Sequence, residues 1–377
     1  MEVKYSTVYK NENAFCSFPS MVIFPDGKIM VVFREAGEMS VKAAKANNPT
    51  HHDRNSFCCS IESNDGGETF NISTKKVVLD SEYGISDPGL SLLKDGTMLL
   101  RTILVQVEKS TDRQQLQAEI LAHRPDIATV SCLIGMTLQK STDHGRSWST
   151  PEIISVQGDT LWCSRDAIVE LEDGSWVLPA YKSSAVQAER AYLLKSFDQG
   201  KNWDSVLLAD DINGYSSIFK GVSYNEVSVL NLGRGKLLAM VRSDSSYKSE
   251  TDQYMAIGGT GELTQSWSDN AGFSWSNVEK TGMFGQPAHL LKLNNGKLLC
   301  TFGYRKAPYG IRACISHDEG KTWDINNTIV IKEGALFWDM GYPASVQKED
   351  GKIVTVYYWN NEDKTRYIET AIWEYIF

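Results

Sequence analysis

One pattern recurs six times along the 377 residues: an apolar strand, a glycine-containing turn, and a second apolar strand running back. The copies span 19–33, 87–100, 166–181, 226–242, 286–305 and 342–358. They turn at Asp26-Gly27, Asp95-Gly96, Asp173-Gly174, Arg234-Gly235, Asn295-Gly296 and Asp350-Gly351. Asp-Gly or Asn-Gly between alternating apolar runs is the strongest short-range hairpin signal, because glycine accepts the positive φ the turn needs. Six such hairpins predict an all-β chain, and ten Trp with sixteen Tyr suit strands better than helices.

A second motif, Ser-x-Asp-x-Gly-x-Thr-Trp or a close variant, follows each of the first five hairpins, beginning at Ser63, Ser141, Ser196, Ser268 and Ser316. Its Asp or Asn can bond the amides of its own turn, its Gly can take the left-handed conformation, and its aromatic residue can pack beneath. The motif reads as a folded turn and is too short in ligands for a calcium loop.

In this register the sequence resembles the sialidase (neuraminidase) superfamily with its Asp-box repeats, over nearly the whole chain. The resemblance implies a single domain over residues 1–377: a six-bladed β-propeller of four-stranded antiparallel blades, with the Asp box as the turn between the third and fourth strands.

Charge narrows the ligand. A net charge of −9 and a pI near 5.3, without any Lys/Arg run, exclude nucleic acid as an expected partner. No apolar run reaches membrane-spanning length, and residues 1–9 lack the apolar core of a secretory signal, so a cytoplasmic chain is expected. Seven scattered cysteines without a CxxC pair read as reduced, structural thiols; no metal and no cofactor is expected.

In a propeller the inner strand starts at the mouth of the central channel, and its antiparallel partner ends beside that start. Hairpin by hairpin this gathers Ser17 with Arg34, Asp87 with Arg101, and Arg165 and Asp166 with Tyr181 and Lys182. The second half adds Glu226 with Arg242, Gln286 with Arg305, and Asp339 and Tyr342 with Tyr358. Five arginines on an acidic protein point to an anionic ligand, and guanidinium matches a carboxylate bidentately, so a carbohydrate bearing a carboxylate is the expected partner.

The resemblance assigns roles to some of these. A sialidase uses a tyrosine activated by a glutamate, because a carboxylate nucleophile would be repelled by the sugar's own carboxylate. Tyr342 and Glu226 match that pair, with Arg242 and Arg305 in the order of the family's arginines. The family's acid/base is an Asp in the loop after the first hairpin, which here contains His51-His52-Asp53; Asp53 is the candidate, with His51, His52 or Asp166 as alternatives. The family's first arginine, in Phe-Arg-Ile-Pro, is replaced in Cys16-Ser17-Phe18-Pro19, and Arg34 is the residue placed to reach the same space. Arg34, Arg165, Asp166, His52, Asp87 and Asp339 complete the expected substrate-binding set, with Trp162 for stacking.

The stretch 105–123, with Leu116, Ile120 and Leu121 at near-helical spacing, is expected to enlarge a loop over the mouth as a lid or oligomer contact. The implied activity is that of an exo-acting glycoside hydrolase releasing a terminal acidic sugar such as sialic acid. Two alternatives remain open: a sugar-binding propeller without catalysis, and a hydrolase or lyase of uronic-acid glycans in which Tyr342 and a His act as acid and base.

Overall fold

The computed structural model describes residues 2–111, 120–183, 189–210, 220–247 and 261–375. Each hairpin contributes the two inner strands of one antiparallel sheet, and six such sheets close a β-propeller, as the repeat predicts. Blade 1 runs outward through Phe15–Ile23, Ile29–Ala36, Ser56–Ser63 and Asn71–Leu79; blade 2 through Gly84–Leu92, Met98–Lys109, Thr129–Ser141 and Glu152–Ile153. Blade 3 comprises Val169–Glu170, Trp176–Lys182, Arg190–Ser196 and Asp204–Ala209; blade 4 Lys220–Gly233, Lys236–Tyr247, Glu262–Ser268 and Glu279–Phe284. Blade 5 comprises Ala288–Lys292, Leu298–Tyr304, Tyr309–Ser316 and Ile329–Ala335.

Blade 6 uses Gly341–Gln347, Ile353–Asn360 and Arg366–Trp373, and takes its outermost strand from the other end of the chain: Val3–Tyr9 pairs antiparallel with Arg366–Trp373. That closure explains five Asp boxes in six blades, since the third strand of blade 6 has no turn to a fourth.

The hairpin turns place Gly27, Gly96, Gly174, Gly296 and Gly351 at positive φ while the preceding Asp or Asn stays at negative φ. Gly27 N donates to Phe24 O at 2.9 Å and Phe24 N to Lys28 O at 2.8 Å, a turn followed by a left-handed glycine rather than a two-residue hairpin loop.

In the box starting at Ser316, Asp318 Oδ1 accepts from Ser316 Oγ at 2.8 Å and Thr322 N at 2.9 Å, while Gly320 N donates to Ser316 Oγ at 2.8 Å. The box aromatics each pack into the junction with the preceding blade: Phe70, Trp148, Trp203, Trp275 and Trp323. The box glycine approaches the same neighbour. A Cβ on Gly272 would lie 2.3 Å from Leu193 Cδ2, and its φ of +87° independently disfavours a side chain. The apolar core is therefore distributed: among the described residues one large buried cluster fills each of the six blade-to-blade junctions, beside a small one under the helix that follows the first hairpin.

The expected helix-like insertion is strand over 105–109 and 120–123, with a 3-10 turn at 110–111. Residues 98–109 continue the second strand of blade 2, and Ile120–Arg124 pairs with Thr129–Ser141, so backbone pairing overrides the near-helical spacing of Ile120 and Leu121. Leu116 lies outside the described residues, as do the rest of 112–119. The loop after the first hairpin does begin with a short helix, Glu38–Lys45, whose Ala44 packs on Phe15 and Ala36.

Candidate active site

The mouth is built by a repeated irregularity in the inner strands. In blades 1, 2, 4 and 6 the register slips by one residue between Ser17 and Ser20, Ser86 and Gly89, Asn225 and Ser228, and Gly341 and Ala344. The first bulged residue of each has positive φ: Phe18 (54°), Asp87 (41°), Glu226 (39°) and Tyr342 (51°). A non-glycine residue held there stores strain, and bulges commonly re-aim a side chain beside a site. Here three of the four, Asp87, Glu226 and Tyr342, line one cavity of about 420 Å³.

The pairing of inner-strand starts with partner-strand ends holds in the register: Ser17 faces Arg34, Asn225 faces Arg242 and Gly341 faces Tyr358. Arg242 and Arg305 also line the cavity, with His51, His52, Tyr181, Glu189, Asp244 and Trp338.

At its centre the Tyr342 hydroxyl donates to Glu226 Oε1, and Arg242 Nη1 donates to Glu226 Oε2. Arg242 Nε donates to Asp244 Oδ2 at 2.8 Å. The Gln286 amide closes the network, its nitrogen 2.9 Å from Asp244 Oδ1 and its oxygen 3.3 Å from Arg242 Nη2. Burial opposes ionisation of Glu226, but the charge of Arg242, the Tyr342 hydrogen bond and Arg305 hold its carboxyl below the usual range. Burial and then the Glu226 charge push the Tyr342 hydroxyl well above its ordinary value. The proton thus rests on the phenol beside an ionised carboxylate, the arrangement of a nucleophile with its base.

Arg305 approaches from blade 5, its guanidinium 5.5 Å from the ring centres of both Trp338 and Tyr342. Its Nη2 donates to Met340 O at 3.3 Å, while its Nε is buried without a hydrogen-bond partner among the described residues. A buried, unsatisfied guanidinium donor is costly, and acceptance by a ligand would relieve it.

Burial and the Glu226 charge raise the Asp87 carboxyl against a hydrogen bond from Ser86 Oγ at 2.7 Å. Burial likewise raises Glu189, opposed by hydrogen bonds from Asn225 and from Ser183 Oγ, the latter at 2.8 Å.

Six residues expected at the site do not line this cavity. Arg34 is wholly buried; its Nε donates to Ile85 O at 3.1 Å and its other nitrogens to Ser17 and Ser40 hydroxyls. These bonds keep Arg34 off the cavity wall. Asp53 is also buried, turned toward the helix so that its Oδ2 accepts from Ser40 N at 3.0 Å and Oγ at 2.9 Å, and its Oδ1 from Asn55 N.

Asp339 is fully buried between Arg366 Nε at 3.0 Å, the Tyr358 hydroxyl at 2.8 Å and His51 Nε2 at 3.0 Å. Arg165 donates to Ala288 O at 3.2 Å and to Pro343 O; Asp166 accepts from Ala167 N with its side chain and from Arg101 with its carbonyl. Trp162 is buried in the junction of blades 2 and 3. Glu189, Asp244 and Trp338 were not foreseen: they belong to no motif and sit at strand ends or in loops without a distinguishing neighbour.

A family model described as a BNR repeat-like domain matches residues 120–355. The chain belongs to this BNR repeat-like family. A sialidase from Bacteroides fragilis is 25% identical over 223 residues, 57% of this chain and 38% of that protein. The chain therefore matches well under half the length of that relative. A crystal structure of a protein of unknown function from Dyadobacter fermentans superposes with a TM-score of 0.81 at 26% identity, covering 98% of both chains. The Trypanosoma rangeli sialidase in complex with sialic acid superposes at 0.63 with 13% identity, covering 98% of this chain and 59% of that one. At that identity the likeness shows the fold.

Proposed function

We propose that the protein is an exo-acting, retaining glycoside hydrolase of sialidase type, acting on a terminal sugar that carries a carboxylate. The observation that carries this reading is the Tyr342 hydroxyl bonded to an ionised Glu226 inside a cavity with Arg242 and Arg305 on its wall. A binding module has no use for a phenol coupled to a base. Glu226 takes the Tyr342 proton as the phenolate oxygen attacks the anomeric carbon, and returns it when water releases the sugar.

Arg305, with its unsatisfied Nε, is the first partner for the sugar carboxylate, backed by Arg242; Trp338 offers a face for the ring. The withdrawal of Arg34 leaves two guanidinium groups on the wall, which they share with Asp87, Glu189, Glu226 and Asp244. This favours a sugar whose carboxylate is gripped by these guanidinium groups and whose hydroxyl groups meet the carboxylates beside them, a description uronides share with sialic acid. Release of 4-methylumbelliferone from α-sialosides and β-glucuronides, abolished in Tyr342→Phe, tests the reading; inertness toward both classes would refute it.

A further inference from the structure

We propose that His51 is the residue that protonates the glycosidic oxygen and later deprotonates water, with Asp339 as its positioning residue. The inference rests on the hydrolase reading above and identifies a group that reading leaves open.

Geometry separates the three adjacent titratable residues of the blade 1 loop. Both oxygens of Asp53 accept from the loop and its helix, and the side chain is buried behind the cavity wall. His52 reaches the wall, but its Nδ1 lies 2.7 Å from Ser131 Oγ, and burial, then His51 and Arg34, hold it neutral with a pKa of about 3. His51 faces the cavity with 29% of its side chain exposed, while its partner Asp339 has none.

With Nε2 committed to Asp339 Oδ1 at 3.0 Å, Nδ1 is the ring nitrogen left for a ligand. The ring is further fixed edge-on to Phe18, centres 4.9 Å apart at 89°, and Phe18 in turn lies 4.7 Å from the Tyr342 ring. The proton donor and the nucleophile thus flank one aromatic spacer.

The charged surroundings suit the task. From blade 6, Asp339 faces His51 with Arg366 and Tyr358 behind it; Asp87 faces it from blade 2, and His52 and the buried Arg34 lie on the blade 1 side. Burial opposes the charge on Asp339, but His51, Arg366 and the Tyr358 hydroxyl keep it ionised far below the usual carboxylate range. A carboxylate fixed on one ring nitrogen orients an imidazole.

The proton count closes. As the bond from the anomeric carbon to the leaving oxygen breaks, His51 Nδ1 gives that oxygen its proton, Tyr342 bonds the carbon, and Glu226 takes the phenol proton. Water then attacks the same carbon, gives one proton to His51, and Tyr342 departs with the proton held on Glu226.

The test compares 4-methylumbelliferyl and methyl α-sialosides and β-glucuronides, whose leaving groups differ in their need for protonation. His51→Gln, able to keep the Asp339 hydrogen bond, and His51→Ala should lose about 10²–10⁴-fold on the methyl glycoside but roughly tenfold or less on the aryl glycoside. Asp53→Asn should change both substrates equally. Equal losses on both aglycones in well-folded His51 variants, or the selective loss appearing in Asp87→Asn or Asp53→Asn instead, would overturn the assignment while leaving the Tyr342 reading intact. A wild-type protein inert toward every substrate would remove the parent reading and this one together.

Discussion

Replacing Arg366 by Met isolates the buried ion pair behind the mouth. Arg366 Nε lies 3.0 Å from Asp339 Oδ2 and its Nη1 donates to Lys364 O at 2.8 Å; the two paired side chains are 1% and 0% exposed. Met fills similar volume but takes the guanidinium away from the Asp339 charge, and breaking a buried pair from one side costs about 3–5 kcal/mol. Unfolding entropy of about 2.1 cal/mol/K per residue gives about 0.8 kcal/mol/K for 377 residues melting as one ring, so the melting temperature should fall by about 4–6 °C at pH 7. The sign with pH follows from the lowered Asp339 carboxyl. A depressed folded value contributes stability that is complete above the ordinary value of 3.8 and is lost as pH falls through the folded one. The gap between wild type and variant should therefore be full near neutrality and close as the pH drops below about 4. Near-ultraviolet circular dichroism melts across that range measure it. A variant melting within about 1 °C of wild type at pH 7, or a gap unchanged in acid, would refute the reasoning.

Other outcomes follow from single sites. Arg305→Met should raise KM for a carboxylate-bearing substrate by roughly 30-fold or more, consistent with about 2–5 kcal/mol for a desolvated charged contact, and should affect a matched neutral glycoside far less. Asp318→Ala removes the acceptor that ties Ser316 Oγ and Thr322 together and should destabilise by about 1–3 kcal/mol in urea titrations without altering the mouth. All seven cysteines are buried and outside any disulfide, so a thiol reagent such as Ellman's should find essentially none before unfolding and all seven after.

Much of the fold was legible because its signals are local. A hairpin turn and an Asp box each announce themselves within eight residues, and their regular alternation carries the blade count. The closing strand Val3–Tyr9 was not legible, since its partner Arg366–Trp373 lies at the far end of the chain and no local pattern records the pairing. The insertion misled because Leu116, Ile120 and Leu121 satisfy a helical spacing, whereas residues 120–124 pair as strand with 129–132.

At the mouth, chain order and strand direction correctly gathered Glu226, Tyr342, Arg242 and Arg305. What spacing could not tell was depth. Arg34 and Arg242 both pair with the residue just before an inner-strand bulge, yet Ser17, Ser40 and Ile85 draw one inward while Glu226 and Asp244 hold the other at the wall. Asp53 and His51 are two residues apart, and only the helix before them decides that the carboxylate turns back and the imidazole forward. The left-handed bulges at Asp87, Glu226 and Tyr342 carry no glycine and so leave no turn signal, although they aim the decisive side chains.

The most direct measurement is covalent capture. A sugar acid carrying fluorine beside the anomeric carbon and a good leaving group slows release of the glycosyl intermediate, so intact mass spectrometry should show one added glycosyl unit per chain and peptide mapping should place it on Tyr342. Tyr342→Phe should take no label. Turnover of substrate with no adduct at any reagent concentration, or an adduct on a different residue, would contradict the nucleophile assigned here.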